Sequence, residues 1–214
     1  MPIICPSILA ANVDEYRQQV EKVAHFAHRL QIDLTDGKFA ANQTVKPQDA
    51  WWPVGIKADF HLMFEDPSLA EKTVLEHKPH LIIVHAEASG SFEAFASRCH
   101  GQGVKVGVAL LPRTSPQTIV ESLGKIDHVL IFSGNLGEYG GHADLDLLRR
   151  VHYLKEHKPE IEIGWDGGIN DQNISQLVSG GVDVLNVGGS IQKAEDPEKA
   201  FHKLQRIADE TGST

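Results

Sequence analysis

Ile3-Ile4-Cys5-Pro6-Ser7-Ile8-Leu9-Ala10-Ala11-Asn12 is the stretch on which the reading of the fold turns. Its continuous apolar run is what a strand buried on both faces requires. It passes into Ala10-Ala11-Asn12 without the glycine-rich turn that a doubly wound dinucleotide-binding sheet places after its first strand. Asn12 reads instead as a helix cap, with Glu15 three residues on completing a capping-box-like pattern. Further runs rich in Val, Ile and Leu follow at Arg29–Leu34, Lys57–Met63, His80–His85, Val104–Leu110, His128–Phe132, Glu160–Trp165 and Val182–Val187, which with Ile3–Leu9 makes eight strand candidates. Amphipathic stretches fill the gaps. Asp66-Pro67, Ser115-Pro116 and Asp196-Pro197 each put an acceptor at a cap and proline at the first helical position. Gly101 and Gly180-Gly181 mark helix ends. Lys46–Pro53, with its prolines and paired tryptophans, is the weakest helix. Eight alternating units predict a parallel sheet with right-handed crossovers, and hence a single α/β domain over residues 1–214, a closed (β/α)8 TIM barrel.

Hydrophobic residues make up 41% of the 214 and charged residues 23%, enough for an ordinary core. A net charge of −9 argues against nucleic-acid and anionic-membrane partners, which need clustered Lys and Arg. It leaves phosphate binding through backbone N–H groups open. Cys5 and Cys99 have neither the number nor the spacing of a disulfide framework or zinc site and read as small buried hydrophobes. No signal peptide is visible and no window approaches the ~20 apolar residues of a membrane helix. The expectation is a cytoplasmic protein.

In such a barrel, chemistry belongs at the carboxyl ends of the strands. Ser7, Gln31, Asp33, Asp59, His61, His85, Glu87 and Asp166 are the polar residues to place there. Period two sets Gln31 and Asp33 on one face of their strand, and Asp59, His61 and Met63 on one face of theirs. If those faces point inward, Asp33, His61 and Asp166 converge near the axis. His85 fits either the site or a structural pairing with Glu87. Two glycine clusters, Asp166-Gly167-Gly168-Ile169-Asn170 and Asn186-Val187-Gly188-Gly189-Ser190, follow the last two strands, where such barrels hold phosphate. Gly134-Asn135-Leu136-Gly137-Glu138-Tyr139-Gly140-Gly141-His142 suits a lid or an ordinary surface loop.

In order and spacing, these segments resemble the ribulose-phosphate 3-epimerase family over nearly the whole chain. The resemblance rests on Pro6-Ser7-Ile8-Leu9, Ile32–Phe39 with Asn42, His61-Leu62-Met63, Val84–Ala88, Gly107–Leu110, Trp165–Asn170 and Val187–Ser190. It implies proton transfer at C3 of a ketopentose 5-phosphate through an enediolate, with Asp33 and Asp166 as base and acid. It further implies sugar-phosphate contacts at Ser7, His61, Met63, Gly140, Gly141, Gly167, Gly168, Gly188, Gly189 and Ser190, and a homo-oligomer. A divalent metal (Zn²⁺, Mn²⁺ or Fe²⁺) would be held by Asp33, His61 and Asp166. Gln31 stands where the family has its fourth ligand, a histidine, so the metal is expected to be weak or absent. Thr35 and Phe132 replace methionines of the family, and the segment after strand six has lost its proline and gained a residue. The readings that compete with an epimerase are an aldolase- or decarboxylase-like barrel and a non-catalytic sugar-phosphate sensor. Two unpaired carboxylates favour catalysis over both binding alone and structure.

Overall fold

The computed structural model describes residues 1–213, so Thr214, the last residue of the expected domain, lies outside it. Eight parallel strands close on themselves in sequence order. They are β1 (Ile3–Ile8), β2 (Arg29–Thr35), β3 (Lys57–Met63), β4 (Leu81–His85), β5 (Lys105–Leu110), β6 (His128–Phe132), β7 (Glu162–Asp166) and β8 (Val184–Val187). The helices are α1 (Val13–Val23), α2 (Ser68–Glu76), α3 (Phe92–Gly101), α4 (Leu148–His157), α5 (Ile174–Ser179), α6 (Gly189–Gln192) and α7 (Pro197–Gly212). The (β/α)8 barrel expected from the sequence is the fold.

The caps behave as their chemistry dictates. Asn12 Oδ1 accepts from the Glu15 amide at 2.9 Å, and Glu15 returns the contact to Ala11 rather than to the cap residue. Asp196 accepts from the Lys199 amide ahead of Pro197. Asp66 caps from one residue further out, accepting from the amide of Ser68 because Pro67 is already helical.

Two expectations for helices are corrected. Lys46–Pro53 keeps only a 3-10 turn at Pro47–Asp49, and its tryptophans pack edge-on against Tyr16 and Phe60. The stretch from Ser115-Pro116 forms a 3-10 helix, Pro116–Lys125, with no side-chain cap. Its β-branched Thr118-Ile119-Val120 and its Gly124 favour an α-helix poorly. Gly101 is the last residue of α3, as expected of a helix end, and the left-handed residue that reverses the chain is Gly103, at φ 74°.

The interior of the barrel is layered. At the amino end lie Arg29, Asp59, His128 and Glu162, joined by hydrogen bonds. Above them Leu81, Ile83, Ala109 and Leu130 form an apolar waist. Gly164 keeps this layer narrow, since a Cβ there would strike the His128 ring. Above the waist sit Gln31, Asp33, His61 and Asp166. Asp59 therefore shares a face with His61, as expected, but belongs to the opposite end. It is the third residue of β3, and two residues carry a strand about 6.6 Å.

Candidate active site

Register on adjacent strands joins Asp33 to His61, and Asp166 meets them from across the barrel interior. Asp33 on β2 pairs with His61 on β3, and Asp166 closes β7 opposite Phe132 and Asn186. Asp33 Oδ1 lies 2.9 Å from His61 Nδ1, and Asp166 Oδ2 lies 3.8 Å from the same nitrogen. Gln31 Nε2 donates to both carboxylates, at 3.0 Å to Asp33 Oδ1 and 2.6 Å to Asp166 Oδ2. Burial, then the charge of Asp33, push Asp166 up to about 7. Two carboxylates thus share one corner of the site, and Asp166 can carry a proton near neutrality.

The far nitrogen of His61 lies 2.9 Å from His85 Nε2. Burial pushes His85 down to about 4 against the opposing pull of Glu87, so a neutral ring faces His61. Glu87 Oε2 stands 3.5 Å from His85 Nδ1 without hydrogen-bond alignment. It is held instead by the Leu111 amide and the Thr114 hydroxyl. His85 accordingly belongs to the cluster more closely than to Glu87.

These residues fit a divalent cation. Asp33, His61 and Asp166 each offer an atom within 4.8 Å of the others. With Gln31, the separations of 2.6, 2.9, 3.0 and 3.8 Å bracket the ~3.0 Å edge expected between neighbouring ligands on bonds of about 2.1 Å. Gln31 Oε1 is buried without a partner. A half-turn of its carboxamide would put an oxygen at the fourth corner without moving the backbone.

Beside the cluster opens a cavity of about 360 Å³. Ser7, Asp33 and Asp166 line it, as do Gly140, Gly141, Gly167, Gly168, Gly188, Gly189 and Ser190 of the glycine-rich segments. Gly167 and Gly168 have φ of 112° and 72°, and a Cβ on either would collide with the backbone of the segment after β6. His61 and Met63, buried at 0% and 2%, lie below rather than on this wall. The cavity thus gathers every expected contact except those two.

The sequence reading did not single out the anchors of the segment after β6. The Tyr139 hydroxyl accepts from the Leu9 amide at 2.8 Å. It stands 2.5 Å from Gln19 Oε1 and 3.0 Å from the Ser7 carbonyl, either of which can take its proton. Asn42 Nδ2 donates to the Gly137 carbonyl. The segment is therefore docked over the mouth. Asn186 on β8 and Lys193 also line the cavity. An Asn on the inward face of an otherwise apolar strand was the available signal for the former.

Paired carboxylates beside a histidine, at the carboxyl mouth of a closed barrel, define a proton-transferring enzyme of the TIM-barrel class. The profile of the ribulose-phosphate 3 epimerase family matches residues 3–192. The ribulose-phosphate 3-epimerase of Helicobacter pylori is 31% identical, over 95% of this chain and 97% of its own. That of Mycobacterium leprae is 31% identical, over 97% and 95%. The chain belongs to the ribulose-phosphate 3-epimerase family, and it is an isomerase of the epimerase type. Among solved structures, 3-hexulose-6-phosphate synthase from Salmonella typhimurium superposes with a TM-score of 0.76 at 14% identity, covering 98% of this chain and 99% of that one. KGPDC from Streptococcus mutans gives 0.72 at 11% identity, covering 99% of each. These two share the fold. No helix among the described residues is long and apolar enough to cross a membrane.

Proposed function

We propose that the protein interconverts ribulose 5-phosphate and xylulose 5-phosphate by proton transfer at C3. The observation that carries this reading is the carboxylate pair, Asp33 and Asp166, sharing one amide donor beside His61 at the mouth of the barrel. One carboxylate removes the C3 proton to leave an enediolate, and the other, protonated, returns a proton to the opposite face. His61 Nδ1 and Gln31 Nε2 are the polar groups nearest the developing negative charge. The phosphate is taken by main-chain N–H groups of Gly167, Gly168, Gly188, Gly189 and Ser190, with Gly140 and Gly141 closing from above and Lys193 contributing an ammonium. Ser7 contacts the sugar; His61 and Met63 support it from below.

Asp33, His61, Asp166 and the turned amide of Gln31 would hold a divalent metal, which when bound supplies positive charge to the enediolate oxygens. An oxygen-rich set with one imidazole favours Mn²⁺, Fe²⁺ or Mg²⁺ over Zn²⁺. Gln31→His should therefore tighten Zn²⁺ binding in calorimetry, and stoichiometric zinc surviving dialysis of the unaltered protein would reject this preference. The buried free thiols of Cys5 and Cys99 suit the reducing cytoplasm. The decisive experiment is incubation with ribulose 5-phosphate in deuterated water. Deuterium should enter at C3 as xylulose 5-phosphate appears. Turnover without label at C3, or no turnover, overturns the reading.

A further inference from the structure

Asn186 is a buried amide with nothing to bind. Its residue is 2% exposed, and neither Oδ1 nor Nδ2 has a hydrogen-bond partner. Turning the amide over would not help, because both ends are unpaired. Leaving such a group buried costs about 1–3 kcal/mol, and native structures rarely accept this without a ligand or catalytic reason. Its place supplies the reason. Asn186 pairs in register with Asp166 on β7 and Cys5 on β1, and it lines the same cavity as Asp33 and Asp166. Two residues later the chain reaches Gly188, where the glycine-rich wall begins. Ser7 Oγ, 2% exposed on the neighbouring strand, is also unpaired and lines the cavity.

A group that meets both a free donor and a free acceptor on an amide is a hydroxyl, or a pair of neighbouring hydroxyls. Asn186 lies between the acid–base pair and the phosphate-binding wall. The corresponding part of an acyclic ketose 5-phosphate is the carbon between its reacting centre and its phosphate-bearing carbon. We propose that Asn186 is a specificity-determining residue that recognises the C4 hydroxyl of the sugar phosphate, with Ser7 beside it. The inference rests on the epimerase reading and extends it from a reaction to a required substrate feature. The ligand class is a phosphorylated ketose hydroxylated at C4; a 4-deoxy ketose phosphate should be a poor substrate.

The test compares ribulose 5-phosphate with its 4-deoxy analogue on the unaltered protein and on Asn186→Leu, which keeps the volume and removes the hydrogen bonds. The unaltered protein should prefer the hydroxylated sugar by about 10–100-fold in kcat/KM. Asn186→Leu should lose that much on ribulose 5-phosphate and little on the analogue. Its melting temperature should stay the same or rise, since two unpaired buried groups are gone. Equal loss on both sugars, no loss on either, or a lowered melting temperature with proportional loss would overturn the assignment. Calorimetry with both sugars reads the same selectivity without turnover. A protein that binds selectively through Asn186 but exchanges no hydrogen at C3 would refute the epimerase reading and uphold the recognition role.

Discussion

The two ends of the barrel interior use the same kinds of side chain for opposite purposes. At the amino end, Arg29 donates at 2.6 Å to Asp59 and at 3.0 and 2.9 Å to Glu162, and His128 meets Glu162 at 2.7 Å. Burial pushes Asp59 up to about 6 in spite of Arg29. Burial opposes the charge on Glu162 too, but the hydrogen bonds from His128 and Arg29 outweigh it and hold Glu162 below the usual carboxylate range. At the carboxyl end, Asp33 and Asp166 have an imidazole and a neutral amide as partners, and no Lys or Arg pairs with either among the described residues. Charge at one end is compensated within the chain. At the other it is left under-compensated, which is the condition of a site that awaits a ligand.

The comparison breaks first if Arg29 proves dispensable. Arg29→Met should lower the unfolding free energy in urea by about 3–5 kcal/mol, because buried Asp59 and half-buried Glu162 lose their cation; a loss below about 1 kcal/mol would make the two ends equivalent. At the other end the effect should fall on rate. Asp33→Asn should slow C3 exchange by about 10²–10⁴-fold with no loss of stability, since the amide keeps the shape and removes the carboxylate that opposes ionisation of Asp166.

The pH dependence of the metal-free protein sharpens the contrast further. His85 titrates near 4 when folded against an ordinary 6.5. Below 6.5 the unfolded chain therefore gains a proton that the folded one refuses. The His85 contribution to stability should fall as pH drops from 6.5 towards 4, by a limiting ~1.4 kcal/mol per pH unit, while Asp59 and Asp166, raised in the folded state, act in the opposite sense over the same range. His85→Gln should remove that component from a series of urea titrations, and an unchanged slope would show that the ring is already protonated. The smallest effect is expected at the docked segment. Tyr139→Phe should raise KM about 3–10-fold with less change in kcat, as loss of one or two hydrogen bonds implies; an unchanged KM would mean that the hydroxyl does not govern closure.

The strands were legible because parallel strands buried on both faces are written as continuous apolar runs. The run proposed at Glu160–Trp165 begins as a strand only at Glu162, since the Ile161 amide turns back to the Lys158 carbonyl. Asp33, His61 and Asp166 were legible as a group because register and period two determine which way a strand residue points. Height along the axis was not, and Asp59 was placed at the wrong end for that reason. The docking of Tyr139 onto Leu9 joins residues 130 apart, a relation without a local signal in either segment. Asn186 lay in a quoted motif, but its meaning depends on having no partner, which only the packed interior reveals.

The apolar waist of Leu81, Ile83, Ala109 and Leu130 has a kinetic corollary. It seals the floor beneath the acid–base pair, so hydrogen exchanges with bulk water only through the mouth. With sugar bound beneath the segment that Tyr139 and Asn42 anchor, a hydrogen taken from C3 should stay with the enzyme until that segment undocks. The fraction of label lost to solvent per turnover then becomes a clock for that undocking. Substrate recovered from a partly completed reaction in tritiated water should carry less label than the product formed alongside it, by a margin that narrows as the latch is weakened.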